Sequence, residues 1–397
     1  MELSQRVQTI KESPTLAVTA RAAKLKAEGK DIIGLGAGEP DFDTPQHIKD
    51  AAKKAIDAGF TKYTPVAGIP GLKKAIVAKF KNQNDLEYTD KEVIVGVGGK
   101  QCIFNLAPAV LNPGDEVIVP APYWVSYADI ALVAGAKPII IECGIEQGFK
   151  LTPAQLEAAI TPKTKLFMIN SPSNPTGSVY TLAELKALGE VLKKHPQILV
   201  ATDDMYEHVN LTGDKFYNIV NATPELKPRS VVLNGVSKAY SMTGWRIGYA
   251  AGPAHIIKAM EILQSQSTSN PTSISQVAAQ AALEGPQECI EPMLKAFRER
   301  HEFVVSRFNQ MRGLKCISAG GAFYAFPDAR EAIANLYQAG KISEANDLAL
   351  SEYLLENVGV AVVPGSAFGA EGYFRISFAT SMDNLRNALD RIEKALA

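Results

Sequence analysis

The middle of the chain alternates short apolar runs with longer segments of helical periodicity. Runs rich in β-branched residues predict strands at residues 92–97, 116–120, 137–142, 165–169, 198–202 and 229–233. Helical patterns lie between and after them, at residues 101–111, 182–194, 256–266 and 286–312. Near-continuous apolar strands separated by helices are typical of a mostly parallel sheet that is covered on both faces. We therefore predict an α/β fold.

The pattern changes near residue 313. A Gly-Gly-Ala-Phe-Tyr-Ala-Phe run at residues 320–326 is followed by a helical pattern at 348–357 and an apolar run at 360–364. This mixture predicts a smaller α+β domain. We place a large domain at residues 46–285 and a small domain in residues 1–45 together with 286–397.

Composition and charge narrow the class of protein. The 397 residues suffice for two domains, and the contents of 46% hydrophobic and 21% charged residues are usual in globular proteins. A formal net charge of -1 provides no broad basic field for nucleic acid. No apolar run is long enough to span a bilayer, and residues 1–13 lack the apolar core of a signal peptide. We expect a cytoplasmic protein that binds neither nucleic acid nor membranes.

Cysteine usage agrees with that location. The 4 cysteines are scattered along the chain and show no CxxC spacing. Such cysteines fit reduced thiols that pack as small apolar side chains. We expect no metal site.

Polar residues follow the predicted strands one after another. Ligands of parallel sheets bind outside the carboxyl ends of the strands, so these residues are candidates for one site. They are Gly98-Gly99-Lys100, Tyr123-Trp124, the stretch from Asn170 to Gly177, Asp203 with Tyr206, and Ser237-Lys238. Each also has an ordinary structural interpretation, such as a tight turn, a core aromatic residue or a helix cap. Together they predict a site at this edge.

The segment around Lys238 carries the most specific chemistry. An amine that follows an apolar strand can be desolvated, which lowers its pKa and makes it a nucleophile. Arg246 follows eight residues later, between Gly244 and Gly248, and offers a planar fork for a phosphate. A reactive lysine beside a phosphate-binding arginine is what a pyridoxal phosphate enzyme requires. A surface loop after a strand is the alternative interpretation.

The chain resembles the class I aminotransferases, and within them the bacterial aspartate aminotransferases of the I-beta subgroup, along nearly its whole length. The segments that carry the resemblance are residues 36–42, 62–65, 98–101, 122–124, 174–177, Asp203 with Tyr206, 237–238, 244–246 and 374–377. The resemblance implies the type I fold of pyridoxal phosphate enzymes, with a mostly parallel seven-stranded sheet in the large domain. It also implies a homodimer with active sites shared between the subunits.

The resemblance implies a role for each matching residue. Lys238 forms the Schiff base and moves the substrate proton, Asp203 pairs with the pyridine nitrogen, and Tyr206 with Asn174 binds the phenolic oxygen of the cofactor. The remaining cofactor contacts are Trp124 on the ring, Arg246, Ser237, Gly99 and Lys100 on the phosphate, and Tyr63 on the phosphate of the neighbouring subunit. Some relatives have a hydroxyl residue where this chain has Gly235, and Ser237 takes over that contact.

For the substrate, the resemblance implies a second set of contacts. Arg375 binds the α-carboxylate, helped by Asn174 and the backbone at Gly38, and Trp124 lies beside the substrate. The side-chain carboxylate of aspartate is met by Lys100, Ser13 and Thr15. The implied reaction transfers the amino group of L-aspartate to 2-oxoglutarate, giving oxaloacetate and L-glutamate. The same residues accept prephenate or aromatic substrates in some relatives, so an enzyme for prephenate, or for both, stays open.

A different class of enzyme is also considered. Residues 235–239 nearly match the G-x-S-x-G turn of serine hydrolases, with Ser237 as the nucleophile. The second glycine of that turn is missing, and His255 and His301, the histidines that follow Ser237, lie in helical patterns. A binding protein without catalysis would need neither Lys238 nor Asp203. We therefore predict an aminotransferase.

Overall fold

The computed structural model describes residues 2–10 and 12–397. Met1 and Lys11, which fall in the N-terminal part of the predicted small domain, lie outside the described residues. The α-helices are α1 (Gln5–Gln8), α2 (Pro14–Ala27), α3 (Gln46–Asp57), α4 (Pro70–Asn84), α5 (Gly99–Val110), α6 (Ser126–Val133), α7 (Pro153–Ala159), α8 (Leu182–Lys193), α9 (Ile219–Ala222), α10 (Ala254–Ser265), α11 (Ser273–Glu284), α12 (Glu291–Gln310), α13 (Arg330–Gln338), α14 (Asp347–Val358) and α15 (Met382–Leu396). The β-strands are β1 (Ile33–Gly34), β2 (Val93–Gly96), β3 (Glu116–Ala121), β4 (Lys137–Glu142), β5 (Thr164–Asn170), β6 (Leu199–Asp203), β7 (Ser230–Gly235), β8 (Gly248–Ala251), β9 (Tyr324–Ala325), β10 (Val360–Ala361), β11 (Val363–Pro364) and β12 (Phe374–Ser377).

A seven-stranded sheet forms the centre of the molecule. Its strand order is β2-β8-β7-β6-β5-β3-β4, and β8 alone runs in the direction opposite to the other six strands. The mostly parallel α/β fold is thus confirmed, and all six predicted strands belong to this sheet. The strand β8 was not predicted, because its sequence Gly-Tyr-Ala-Ala is short and contains no β-branched residue.

Both faces of this sheet are buried, as the apolar strands predict. In β2, Ile94 packs into one core, while Val93 and Val95 pack into the other. Helices α5, α6 and α10 contribute to the first core, and α3, α4, α8 and α11 contribute to the second. A strand that is covered by helices on both sides has no polar face, which explains its unbroken apolar sequence.

Two smaller sheets lie outside the central one. The strands β11, β12 and β9 form an antiparallel sheet in that order, and β1 pairs with β10 in parallel. The apolar run at residues 360–364 therefore splits between two sheets. The central sheet lies within residues 46–285 and the smaller sheets lie outside them, as the predicted division requires. That division stays a prediction, because one apolar core includes residues from both parts, such as Tyr206 and Phe323.

The strand directions bring five loops to one edge of the central sheet. Strands β3, β5, β6 and β7 are parallel, and β2 shares their direction because β2 and β7 are both antiparallel to β8. The chain leaves these strands at the same edge, and β8 begins there. Within the described residues, no helix is both long and apolar enough to cross a membrane.

Candidate active site

A cleft of about 440 Å³ opens at this edge of the sheet. Thirteen of the predicted site residues line it, namely Ser13, Thr15, Gly38, Gly99, Lys100, Trp124, Asn174, Asp203, Tyr206, Ser237, Lys238, Arg246 and Arg375. Tyr63 does not line the cleft, and 92% of its surface is exposed. The loops after five strands thus converge on one cavity, together with the N-terminal segment and β12.

Lys238 lies in the turn that follows β7, where its ammonium donates a hydrogen bond to the carbonyl of Gly38. The ammonium also lies 5.7 Å from the ring centre of Tyr206. Burial lowers the pKa of Lys238 from the ordinary value of 10.5 to about 8, and the positive charges of Arg375 and Arg246 contribute in the same direction. Such an amine is partly unprotonated near neutral pH, as a nucleophile or general base must be.

Asp203 ends β6 and is buried. Its Oδ2 accepts a hydrogen bond from the Tyr127 hydroxyl at 2.6 Å, and its Oδ1 accepts one from the Met205 amide at 3.2 Å. Burial raises the pKa of this carboxyl, and no described lysine or arginine forms an ion pair with it. A cationic group placed against Asp203 would lower the pKa again and would itself be stabilised.

Tyr206 follows Asp203 by three residues and is also buried. Its hydroxyl lies 2.7 Å from the hydroxyl of Tyr324, which belongs to β9. The Tyr324 hydroxyl also lies against Gly38, where a β-carbon would approach it to 2.9 Å. The pair therefore connects the loop after β6 to β9, and Tyr324 brings β9 against the N-terminal segment at Gly38.

The loop between β2 and α5 forms a cradle of the kind that binds phosphate. Gly98 has a φ of 80°, and a β-carbon on it would lie 2.3 Å from Nη2 of Arg246. Glycine is therefore required both by the backbone conformation and by the close approach of the guanidinium. Helix α5 begins at Gly99, so the amides of Gly99 and Lys100 have no acceptor within the helix. Free amides and a guanidinium together suit an anion.

Arg246 is held in place by backbone carbonyls. Its Nη1 donates to the carbonyl of Thr243 at 2.8 Å, and its Nη2 donates to that of Val97 at 3.3 Å. The residue comes just before β8, the strand that runs against its neighbours, and this places it at the edge where the other strands end. The sequence predicts Arg246 at the site, and the direction of β8 supplies the structural reason.

Lys100 and Trp124 form a second wall of the cleft. The Lys100 ammonium lies 4.9 Å from the centre of the Trp124 ring. Trp124 in turn packs edge-on against Tyr127, with 5.4 Å between the ring centres. Burial lowers the pKa of Lys100, the positive charge of Arg246 lowers it further, and Asp129 opposes the change. A cationic side chain on an indole face is a common arrangement that fixes the position of both groups.

Arg375 lies on β12 and is only 2% exposed. Its Nη1 donates to Oδ1 of Asn174 at 2.8 Å, and its Nη2 donates to the carbonyl of Gly36 at 2.7 Å. Its Nε is buried without a hydrogen-bond partner, and no described carboxylate pairs with this guanidinium. Burial lowers the pKa of Arg375. A buried cation that lacks an anion is costly unless a ligand supplies one.

Sequence reasoning missed several residues of the cleft. Tyr127 and Tyr324 line it without having been predicted, and Asn170, which begins the predicted stretch from Asn170 to Gly177, lines it too. Asn170 is the last residue of β5, and it donates from Nδ2 to the Asp203 carbonyl at 2.8 Å and accepts from the Asn174 amide at 2.8 Å. Tyr324 lay in the aromatic run at residues 320–326, but nothing in that run indicated contact with Tyr206.

The serine hydrolase alternative lacks its base. Ser237 lines the cleft, but none of the described residues around this cavity is a histidine. His255 lies in α10 and His301 in α12, as the helical patterns predicted. Nε2 of His301 accepts a hydrogen bond from the Ala319 amide at 2.9 Å, so it is already engaged. A serine without a neighbouring base is not an activated nucleophile.

Known proteins resemble this chain over its whole length. The aspartate/prephenate aminotransferase of Nitrosomonas europaea is 64% identical over 100% of both chains. Among solved structures, the aspartate aminotransferase from Rhizobium meliloti superposes with a TM-score of 0.94 at 48% identity, covering 100% of this chain and 99% of that one. The aspartate aminotransferase of Thermus thermophilus with maleate superposes at 0.93 with 43% identity over 100% of both chains. Residues 30–392 match the family model "Aminotransferase class I and II". The chain therefore belongs to the class I and II aminotransferases.

Proposed function

We propose that this protein is a pyridoxal phosphate-dependent aspartate aminotransferase, which transfers the amino group of L-aspartate to 2-oxoglutarate and releases oxaloacetate and L-glutamate. One observation carries the proposal. The cleft contains a buried carboxylate, Asp203, that forms no ion pair with a described cation, and a buried guanidinium, Arg375, that pairs with no described carboxylate, and Lys238 lines the same cleft. A cofactor with a cationic ring nitrogen would neutralise Asp203, and a substrate with a carboxylate would neutralise Arg375.

The residues of the cleft fit the cofactor from end to end. Arg246, Ser237 and the first amides of α5 would hold the phosphate, in the cradle that Gly98 leaves open. Asp203 would pair with the ring nitrogen, and Trp124 would lie against the ring. Tyr206 and Asn174 would bind the phenolic oxygen. When bound, the cofactor supplies an aldehyde carbon that can bond an amine and a ring that withdraws electrons from the substrate.

Lys238 would perform two tasks. Its amine would hold the cofactor covalently between turnovers, and it would then take the proton from the substrate Cα once the substrate has displaced it. Both tasks need the unprotonated amine, and a pKa near 8 leaves a larger fraction of it at neutral pH than the ordinary value of 10.5 does. Asp203 would keep the ring nitrogen protonated, because an ionised carboxylate stabilises the adjacent cation.

Substrate binding would rely on two ends of the cleft. Arg375 would bind the α-carboxylate through its guanidinium, with Asn174 and the Gly38 backbone beside it, and a planar fork suits a carboxylate. Lys100, Ser13 and Thr15 line the same cleft and would meet the side-chain carboxylate. An acidic substrate thus has a cation for each of its two carboxylates.

Prephenate is a second candidate substrate. The relative at 64% identity is named for both aspartate and prephenate. Prephenate carries a ring carboxylate that can take the place of the aspartate side chain at Lys100. We propose that this enzyme accepts both.

We further propose that the active enzyme is a homodimer. Tyr63 is 92% exposed, and Phe60, close to it in sequence, is 40% exposed. Aromatic side chains at such exposure are typical of a surface that another subunit covers. Mixing the inactive variants Tyr63→Ala and Lys238→Ala tests the shared site. Mixed dimers should regain one intact site and some activity if Tyr63 serves the neighbouring subunit.

A spectrum and a turnover assay test the function. Purified protein with pyridoxal phosphate should absorb visible light, and L-aspartate should change that band unless 2-oxoglutarate is present to restore it. Competition among aspartate, prephenate, phenylalanine and alanine then ranks the substrates. Absence of the band would refute the cofactor, and a preference for alanine would refute the assignment of an acidic substrate.

A further inference from the structure

A buried group of charged and amide side chains lies in the core and not in the cleft. The side chain of Lys79, on α4, is 0% exposed, and that of Glu207 is 4% exposed. The two form an ion pair, and neither lines the cleft. Burying two charges carries a desolvation cost, and a well-packed apolar pair is often at least as stable. The stability of the fold therefore does not by itself account for this pair.

The carboxylate of Glu207 joins two loops of the site. Glu207 directly follows Tyr206, and its Oε1 accepts a hydrogen bond from Nδ2 of Asn234 at 2.8 Å. Asn234 lies in β7, and its Oδ1 accepts from the amide of Gly235 at 2.7 Å. Gly235 is the last residue of β7, and the turn that carries Lys238 follows it directly. The contact thus runs from the Asp203 loop to the start of the lysine turn.

The backbone ladder between β6 and β7 does not reach this far, although β8 pairs with Asn234 and Gly235 on the other side of β7. Pairing between β6 and β7 ends at Asp203 and Leu233, followed by a bond from the Asp204 amide to the Leu233 carbonyl at 2.9 Å. Beyond that point, the Glu207–Asn234 contact links the two loops through side chains. The turn also has little free space, since a β-carbon on Gly235 would lie 3.0 Å from Cε of Met205.

Other partners hold the carboxylate in one orientation. Nδ2 of Asn84 donates to Oε2 of Glu207 at 2.7 Å, and Lys79 donates to Oδ1 of Asn84 at 2.8 Å. Nδ1 of His208 lies 3.4 Å from Oε1 of Glu207. Burial alone would raise the pKa of Glu207, but the Lys79 ammonium and His208 outweigh it and lower the pKa to about 2. The carboxylate is therefore ionised at any working pH.

We propose that Lys79, Glu207 and Asn234 are positioning residues, which hold the turn carrying Lys238 in register with the loop carrying Asp203 and Tyr206. They touch neither substrate nor cofactor. Lys79 and Asn84 orient the carboxylate of Glu207. That carboxylate orients the side-chain amide of Asn234, and the oxygen of this amide holds the backbone amide of Gly235 just before the lysine turn. The catalytic part of this inference rests on the proposed function.

Two double variants isolate the acceptor that Asn234 requires. Lys79→Met with Glu207→Gln removes both charges but leaves an oxygen that can accept from Asn234. The side-chain oxygen of Asn84 no longer accepts from Lys79 in this variant, so the Asn84 amide can rotate and accept from the amide of the new glutamine. Lys79→Met with Glu207→Met removes the charges and the oxygen. Lys150→Met with Glu184→Met, at a partly exposed ion pair outside the cleft, serves as the control.

The first readout does not require the cofactor. We call Lys79→Met with Glu207→Met the Met/Met variant, and Lys79→Met with Glu207→Gln the Met/Gln variant. Hydrogen–deuterium exchange in residues 234–240 should be faster in the Met/Met variant than in the Met/Gln variant, even where the two variants have the same melting temperature. The control should resemble the unmodified protein. Equal exchange in the two variants would overturn the proposal, even if no cofactor bound. Should the Met/Met variant fail to fold, Asn234→Ala, which changes no charge, answers the same question by the same measurement.

The second readout concerns the holoenzyme. The Met/Met variant should have a kcat about tenfold below that of the Met/Gln variant, with KM for aspartate within about twofold, because positioning the lysine affects proton transfer more than binding. The pH at which the lysine-bound cofactor changes its absorption should shift as well. An equal kcat and an equal pH midpoint in both variants would contradict the positioning role. A missing visible band in the unmodified protein would instead refute the proposed function.

Discussion

Arg375 donates a hydrogen bond from Nη1 to Oδ1 of Asn174 at 2.8 Å, although 201 positions separate the two residues in the chain. Asn174 lies in the loop after β5 of the central sheet, and Arg375 lies on β12 of the small antiparallel sheet. A carboxylate bound by this pair would therefore contact both sheets at once.

The first prediction concerns the lysine of the cleft. Lys238→Ala should abolish transamination and leave the cofactor bound without a covalent bond. Loss of the nucleophile and of the proton-transfer group should lower kcat by on the order of 10⁴-fold or more. Borohydride reduction followed by mass spectrometry should find no cofactor on the variant chain. Turnover near that of the unmodified enzyme would disprove the role of Lys238.

The second prediction concerns pH. Only the unprotonated amine of Lys238 can bond the cofactor, and burial with two neighbouring arginines lowers its pKa from 10.5 to about 8. Covalent attachment of pyridoxal phosphate to cofactor-free protein should therefore rise with pH with a midpoint near 8. Arg375→Met removes one positive charge and should raise that midpoint. The experiment measures attachment by borohydride trapping, and a midpoint at the ordinary lysine value would contradict the environment described.

The third prediction separates charge from fold at Asp203. Asp203→Asn keeps an oxygen for the Tyr127 hydroxyl, so the protein should fold and bind the cofactor. The ring nitrogen should lose its proton at neutral pH, because the neutral amide cannot stabilise the cation. Removal of the substrate Cα proton should slow greatly, and single-turnover kinetics with deuterated aspartate measure this step. An unchanged rate in fully loaded protein would show that Asp203 has only a structural role.

The fourth prediction concerns the α-carboxylate. Arg375→Lys should raise KM for all amino acids alike, because a lysine cannot form the two-bond fork of a guanidinium. The same substitution at the surface residue Arg330, which pairs with Asp328, should leave KM unchanged. Steady-state kinetics with aspartate, glutamate and phenylalanine provide the comparison. If KM rose only for the dicarboxylic substrates, Arg375 would instead bind the side-chain carboxylate.

The fifth prediction concerns substrate specificity. Lys100→Ala should weaken the productive binding of aspartate and glutamate by roughly 1–3 kcal/mol. The loss for phenylalanine should be much smaller, since phenylalanine has no distal carboxylate. The ratio of kcat/KM for aspartate and phenylalanine measures the effect. Lys137→Ala, at an exposed position outside the cleft, is the matched control. An unchanged ratio with weaker cofactor binding would show that Lys100 serves only the phosphate.

The residues that end each strand could be predicted from the sequence because strand ends are local features. Apolar runs locate buried strands, and the carboxyl ends of parallel strands share one edge, so the sequence alone predicts that Trp124, Asn174, Asp203 and Lys238 meet. The resemblance to the aminotransferases added residues that no local pattern indicates, such as Arg375. The structure brings these residues around one cleft.

Tertiary structure alone decided the contacts between distant segments. The strand β8 escaped prediction, and only its reversed direction explains why Arg246 lies at the edge of the sheet where the other strands end. The hydroxyl pair of Tyr206 and Tyr324 and the ion pair of Lys79 and Glu207 join segments more than 100 positions apart. Hydrophobic periodicity reports which face of an element is buried, but it does not report which partner lies on the other side. Long-range pairing therefore determines the charges, the orientations and the reactivity of the site.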